Sequence, residues 1–146
     1  MCLNIEENES FVEKLLSKKE ITCYKVYRMN RHRKVLYSPC FSQEISNFGV
    51  IKSNRQNKNI IPEEGNQVEH GIHVFVNKKD AEDYAYLKEK VVVPVLCREN
   101  DLIAIGTFET GFHKSNYGNG IKSFQSAAFM KVRIRSRDWN KIFDKI

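Results

Sequence analysis

Residues 124–135 constrain this chain more than any other segment. Ala128, Met130, Val132 and Ile134 alternate there with Phe129, Lys131, Arg133 and Arg135. Alternation of this kind marks a strand with one face in a core and the other in solvent. A helix would spread the same side chains around its circumference, so the chain must build a sheet. The pattern also predicts that Phe129, Lys131, Arg133 and Arg135 share one surface. Like charges on neighbouring sheet positions repel, and an anionic partner would relieve that repulsion. The plainer alternative is an edge strand, since lysine and arginine also protect edges from pairing with other chains.

The rest of the pattern supplies the companions of this strand. Asn4, with Glu7 three residues on, has the spacing of a helix cap, and Phe11, Val12, Leu15 and Leu16 follow as an apolar stripe. Ile21 to Met29 is rich in β-branched and aromatic residues and reads as a strand. It turns at Asn30-Arg31-His32-Arg33 and returns over Lys34 to Tyr37 before Ser38-Pro39 stops it. From Ser42 to Gly65 no periodicity is visible, and 53–59 has no apolar residue, so a long exposed loop is expected. Gly71 to Val76 reads as a strand, with Asn77 as N-cap and Asp80 in the first turn of a helix carrying Ala81, Tyr84, Ala85 and Leu87. Lys90 to Arg98 and Leu102 to Phe108 are further strands, the first placed at an edge or bulge by Pro94. Thr110 to Gly120, with three glycines, reads as a flap. Ser136 opens a last helix with Trp139, Ile142, Phe143 and Ile146 on one face. The expected fold is a single α+β domain over 1–146: a largely antiparallel sheet of five to seven strands, with two or three helices covering one side.

Charge then bears on partners. Lys and Arg number 24 against 18 Asp and Glu, a net charge of +6. That excess suits a nucleotide, a nucleic acid or an acidic protein, although it also suits simple solubility. The first hairpin adds Lys25, Arg28, Arg31, Arg33 and Lys34, with Tyr24 and Tyr27 between them. Arginine forks bind phosphate oxygens in pairs and aromatic rings stack on bases. If the hairpin and the last strand lie side by side, they form a platform for a nucleotide or a single strand. The expected ligand-binding set is therefore Lys131, Arg133, Arg135, Lys25, Tyr27, Arg28, Arg31 and Arg33, with His73 as a further candidate. A homo-oligomer is also compatible with this composition.

Other chemistry finds less support. His70 and His73 are three apart, which on a strand sends them to opposite faces, and the four cysteines form no Cys-x-x-Cys pair. No metal and no cofactor is expected. Cys23 and Cys97 lie in apolar strands and read as small core residues. Cys2, exposed by removal of Met1, would unite a thiol nucleophile with an amine base. No phosphate-binding loop, dinucleotide fingerprint or nucleophile elbow is present. The acidic start, Met-Cys-Leu-Asn-Ile-Glu-Glu, is unlike a signal peptide, and no apolar run has the length of a membrane span. The bacterial host cytosol is the expected compartment, with the thiols reduced.

Several short segments carry a resemblance. Met1-Cys2-Leu3, Thr22-Cys23-Tyr24-Lys25-Val26, Leu36-Tyr37-Ser38-Pro39, Gly71-Ile72-His73-Val74-Phe75 with Ala81-Glu82, and Ser126 to Val132 together resemble a family of short proteins of unknown function from gut bacteria and their phages. The resemblance implies a phage or prophage setting, in which small binding proteins that blunt host defence are at home. The run from Gly71 through Tyr84-Ala85 to the valine strand is also similar to the middle of ADP-ribosyltransferase domains. In that likeness Tyr24 opens the first strand and His73 stands where the family has tyrosine, with no counterpart for the transferase glutamate. It implies an enzyme with a deep cleft beside His73.

Overall fold

The computed structural model describes residues 3–5, 8–38, 44–53, 67–68, 71–88, 90–112 and 120–143. In chain order they form β1 (Leu3–Ile5), α1 (Glu9–Lys18), β2 (Glu20–Asn30), β3 (Val35–Tyr37), β4 (Glu44–Ile45), β5 (Gly49–Lys52), β6 (Gln67–Val68) and β7 (Ile72–Phe75). There follow α2 (Lys78–Lys88), β8 (Val91–Arg98), a 3-10 turn at Glu99–Asp101, β9 (Leu102–Phe112), β10 (Gly120–Phe129), β11 (Lys131–Ile134) and α3 (Ser136–Phe143). The fold is α+β. Every strand pairing is antiparallel, and the sheet runs β5-β11-β8-β2-β7-β10-β9-β1-β6, with β3 and β4 branching from β2.

The sheet exceeds the expected five to seven strands because short segments pair at its margins. β4 and β5 lie inside 42–65, which sequence reading takes as loop. Two or four residues are too few to show a period, but Gly49 to Lys52 pairs residue by residue with Ile134 to Lys131. The helix start also differs. Asn4 lies in β1, and Asn8 is the cap, its Oδ1 accepting from the Phe11 N–H at 3.3 Å. Residues 42–43 and 54–65 of the expected loop, His70, Cys2, residues 113–119 of the flap and Ile146 of the expected last helix fall outside the described residues. The rest of the flap is strand, since β9 continues to Phe112 and β10 resumes at Gly120.

Burial separates the two faces of the sheet. Ile21, Cys23 and Tyr27 of β2, Ile72 and Val74 of β7, Val93, Val95 and Cys97 of β8, and Val132 and Ile134 of β11 pack against Phe11 and Leu15 of α1 and Trp139 and Phe143 of α3. On the other face Val26, Phe75 and Phe124 pack against Ala81, Tyr84 and Ala85 of α2. Phe75, Tyr84 and Phe124 form an aromatic triad with ring centroids 5.3–6.1 Å apart. Helices therefore cover both faces, not one as the sequence suggests. The valine run of β8 serves both, with Val93 in the first core and Val92 against the second.

On its face α2 lies over β2, β7 and β8, with Val92 at the start of β8 and Phe124 of β10 packed against its cluster. Towards the β5 edge, Leu96 of β8 is half-buried, and Lys131 and Arg133 of β11 and Val50 of β5 are exposed. Pro94 sits opposite Tyr24 in an interior strand, yet β11 meets β8 only at Arg133↔Leu96. Proline thus avoids the cost of a missing ladder hydrogen bond without occupying the edge of the sheet.

Cys23 of β2 and Cys97 of β8, diagonal neighbours across the pairing, are free and buried. A hydrogen bond with Cys23, and after it burial, push the Cys97 thiol far above its ordinary value. Burial, with Cys97 nearby, raises the Tyr27 hydroxyl likewise. In the folded chain both groups keep protons that the unfolded chain loses at high pH. Their contribution is complete below the ordinary thiol pKa of about 8.5 and falls as pH rises through that value and the ordinary phenol pKa of about 10. Stability in urea should fall between pH 8 and pH 10, each ionising group contributing about 1.4 kcal/mol per pH unit above its unfolded pKa. Iodoacetamide should leave both cysteines unmodified in the native protein and alkylate them in urea, as read by peptide mass spectrometry.

Candidate binding face

The last strand does not present the row that its sequence predicts. Strand pairing breaks at Met130, whose N–H donates to the Asp101 carbonyl at 2.7 Å. The register of β10 against β9 shifts between Ala128 and Phe129. The irregularity drops Phe129 into the core, fully buried in the cluster that also holds Trp139 and Val132. Ala128 is also fully buried, at the edge of a small cluster with Leu3 and Ala104. Phe129 is therefore no part of a cation-bearing surface.

Only Lys131 and Arg133 alternate outward, with Val132 and Ile134 inward. Arg135 lies past the strand, and its Nε donates to Asp138 Oδ2 at 2.7 Å. That bond holds a half-buried guanidinium against the first turn of α3, so Arg135 orders the strand-to-helix corner instead of facing a ligand. Lys131 Nζ lies 3.9 Å from Asp101 Oδ1. Arg133 is exposed and makes no ion pair with a described residue.

The hairpin cations are elsewhere. Arg133 is level with Leu96 and through it with Thr22, whereas Arg28 to Lys34 lie at the far end of β2. Six residues of strand at about 3.4 Å each put Arg28 roughly 20 Å from that row, with α2 packed between. The two basic groups do not form one platform. Lys25 is buried, its Nζ 5.7 Å from the Tyr27 ring centre. Tyr27 is itself buried and unable to stack on a ligand. Arg33 donates to the Tyr37 hydroxyl and to Glu44 Oε1, each at 3.0 Å, bracing the β3–β4 branch. Arg28 and Arg31 are exposed.

His73 is buried in β7, opposite Ala128, and lines neither of the surface depressions described next.

Two depressions meet where β2 starts and β8 ends, sharing Glu20 and Arg98. One, of about 160 Å³, is lined by Glu20, Val50, Leu96, Arg98, Asp101, Lys131, Val132 and Arg133. The other, of about 540 Å³, is lined by Lys19, Glu20, Arg98, Glu99 and Asn100. Glu20 and Arg98 belong to both, joined by a 2.9 Å bond from Arg98 Nε to Glu20 Oε2. Val50 and the preceding Phe48 are among the most exposed large apolar side chains, at 59% and 46%. Sequence reading missed Val50, Leu96 and Arg98 because they come from three separate segments, and only the pairings β5–β11–β8 bring them together. Among the described residues, no group of three His, Cys, Asp or Glu side chains is placed to hold a metal ion, and no helix is long and apolar enough to cross a membrane.

Compared with family models, curated proteins and solved structures, the chain has no match.

Proposed function

We propose that this chain is a protein-interaction module, acting in the bacterial cytosol, that docks an acidic protein through the open face of β5, β11 and β8. The observation that carries this reading is Arg133: exposed, without an ion-pair partner among the described residues, and set beside Lys131 between the apolar side chains of Val50 and Leu96. Such a mixture of cation and exposed apolar surface matches a protein interface, where arginine and apolar anchors concentrate. A pocket for a nucleotide-sized ligand commonly has about 300–1,000 Å³ and a largely apolar lining. The depression at Arg133 is smaller, and the larger one beside it is lined by charged and amide side chains. A nucleic acid would want an unbroken basic track, whereas here Glu20 and Asp101 partner Arg98 and Lys131. A module of this kind suits an inhibitor of an acidic host protein.

The test is fluorescence anisotropy with three labelled probes: octaglutamate, ATP and a fifteen-nucleotide oligothymidylate. Octaglutamate should bind, and Arg133→Glu combined with Lys131→Glu should weaken it at least tenfold, with wild-type binding falling as salt is raised. Octaglutamate binding that is absent or unaffected by the double reversal would overturn the reading. Tighter binding of ATP or of the oligonucleotide would transfer the face to nucleotide or nucleic-acid recognition.

A further inference from the structure

We infer that the end of the β2–β3 hairpin is a second binding site, separate from the face around Arg133, and that it takes the phosphate backbone of double-stranded DNA. β2 outruns the strand beside it. Its pairing with β8 ends at Tyr27↔Val91, and from Arg28 to Asn30 it pairs, among the described residues, with β3 alone. Three strand residues at about 3.4 Å each carry it roughly 10 Å past β8. β4 joins this branch only at Leu36 and Tyr37. The end is therefore two strands wide, with Asn30 opposite Val35 and a turn over residues 31–34. Asn30 Oδ1 accepts from the Arg33 N–H at 3.2 Å, and Lys34 takes a left-handed φ of 51°. Local bonds thus shape the turn.

The charge on this ribbon is one-sided. From Arg28 to Gln43 the sequence has no acidic residue, yet it holds Arg28, Arg31, His32, Arg33 and Lys34. All five side chains are exposed. Among the described residues only Glu44 is ion-paired to the group, through Arg33 at 3.0 Å. Arg28, Arg31 and Lys34 make no ion pair with a described residue. Three such cations on one short ribbon repel each other, and a ligand of high negative charge density relieves that repulsion. Duplex DNA carries a charge per about 1.7 Å of axis, whereas extended polyglutamate carries one per about 3.4 Å. None of the exposed large apolar side chains lies on the hairpin, so it lacks the anchors that a protein partner uses. Tyr27 is buried, and Tyr37 is half-buried with its hydroxyl bonded to Arg33, which leaves the hairpin poor in rings for stacking on single-stranded bases. The major groove of B-DNA, about 12 Å wide, admits a two-stranded ribbon, whereas that of an RNA duplex is too narrow for side chains to read. Shape and charge together favour double-stranded DNA.

The experiment is fluorescence anisotropy of the full chain with a labelled twenty-base-pair DNA duplex, at salt from about 50 to about 200 mM. Contacts from Arg28, Arg31 and Lys34 to phosphates give a slope of log K on log salt of about −2.7, a roughly 40-fold loss of affinity over that range. Arg31→Gln with Lys34→Asn should reduce the slope to about −0.9 and the loss to about 3.5-fold. Asparagine tolerates the left-handed backbone at position 34, so the turn is kept. Arg28→Gln alone, on the strand and outside the turn, should reduce the slope to about −1.8. Lys131→Glu with Arg133→Glu should leave duplex affinity within twofold, and the Arg31/Lys34 pair should leave octaglutamate affinity within twofold. Absence of duplex binding at the lowest salt, or a slope that the hairpin substitutions leave unchanged, overturns the site. Tighter binding of an RNA duplex, of oligothymidylate or of phosphatidylserine vesicles than of the DNA duplex overturns its assignment to DNA.

Discussion

Replacing Phe129 by alanine should cost about 3–5 kcal/mol of stability, the range for deleting a buried aromatic side chain from a close-packed core. Phe129 has no exposed surface and sits where β10 ends, opposite Ile72 on one side and Leu102 on the other. Its ring belongs to the cluster that includes Trp139, Phe143 and Val132, so the cavity would open in the larger of the two main cores. The single tryptophan is buried there, and its emission reports unfolding in urea directly. The prediction also discriminates between two structures. Were strand alternation unbroken through Met130, Phe129 would lie among the surface cations and its loss would move stability by no more than about 0.5 kcal/mol. A shift that small would contradict the irregularity at Ala128/Phe129 and the strand break after it.

Gly71→Ala should be the second most damaging change, at about 2–4 kcal/mol from two additive causes. Gly71 has φ +88°, a backbone region that side chains other than glycine rarely adopt. A Cβ built there would also lie 2.5 Å from Ile103 Cδ1 and 3.3 Å from the Phe129 carbonyl oxygen. The Ile103 methyl can swing aside, but the carbonyl belongs to the strand that flanks β7 and cannot move without disturbing β10. Serine at the same position should behave like alanine, since the strain begins at Cβ. The check is the urea midpoint of each variant against wild type. A loss below about 1 kcal/mol for both would show that the chain entering β7 relaxes freely. The glycine opening the Gly-Ile-His-Val-Phe run is thus required by backbone geometry at the entry to a buried strand.

What the sequence determined alone was local. Periodicities of two and of three to four residues located β2, β7, β8, β9, the helical stripe of α1 and the terminal helix, because each is long enough to repeat its pattern. They also placed Cys23 and Cys97 in the core and gave the α+β class. Strands of two to four residues, such as β4, β5 and β6, carry no readable period and exist because a partner offers hydrogen bonds. Tertiary structure decided the faces. Alternation states which residues share a side only while the strand is unbroken, and one irregular residue at Met130 reversed the reading for Phe129. Arg135 was claimed by Asp138 across the corner into α3, and Arg33 by Glu44 across a branch of the sheet. Strand order is likewise a property of the whole chain. Placing β8 between β11 and β2, and pairing β11 with β5 and with the late part of β8, put Arg133 next to Val50 and Leu96 and left the hairpin arginines at the opposite end. No local pattern encodes that neighbourhood, because it arises from pairings between segments dozens of residues apart.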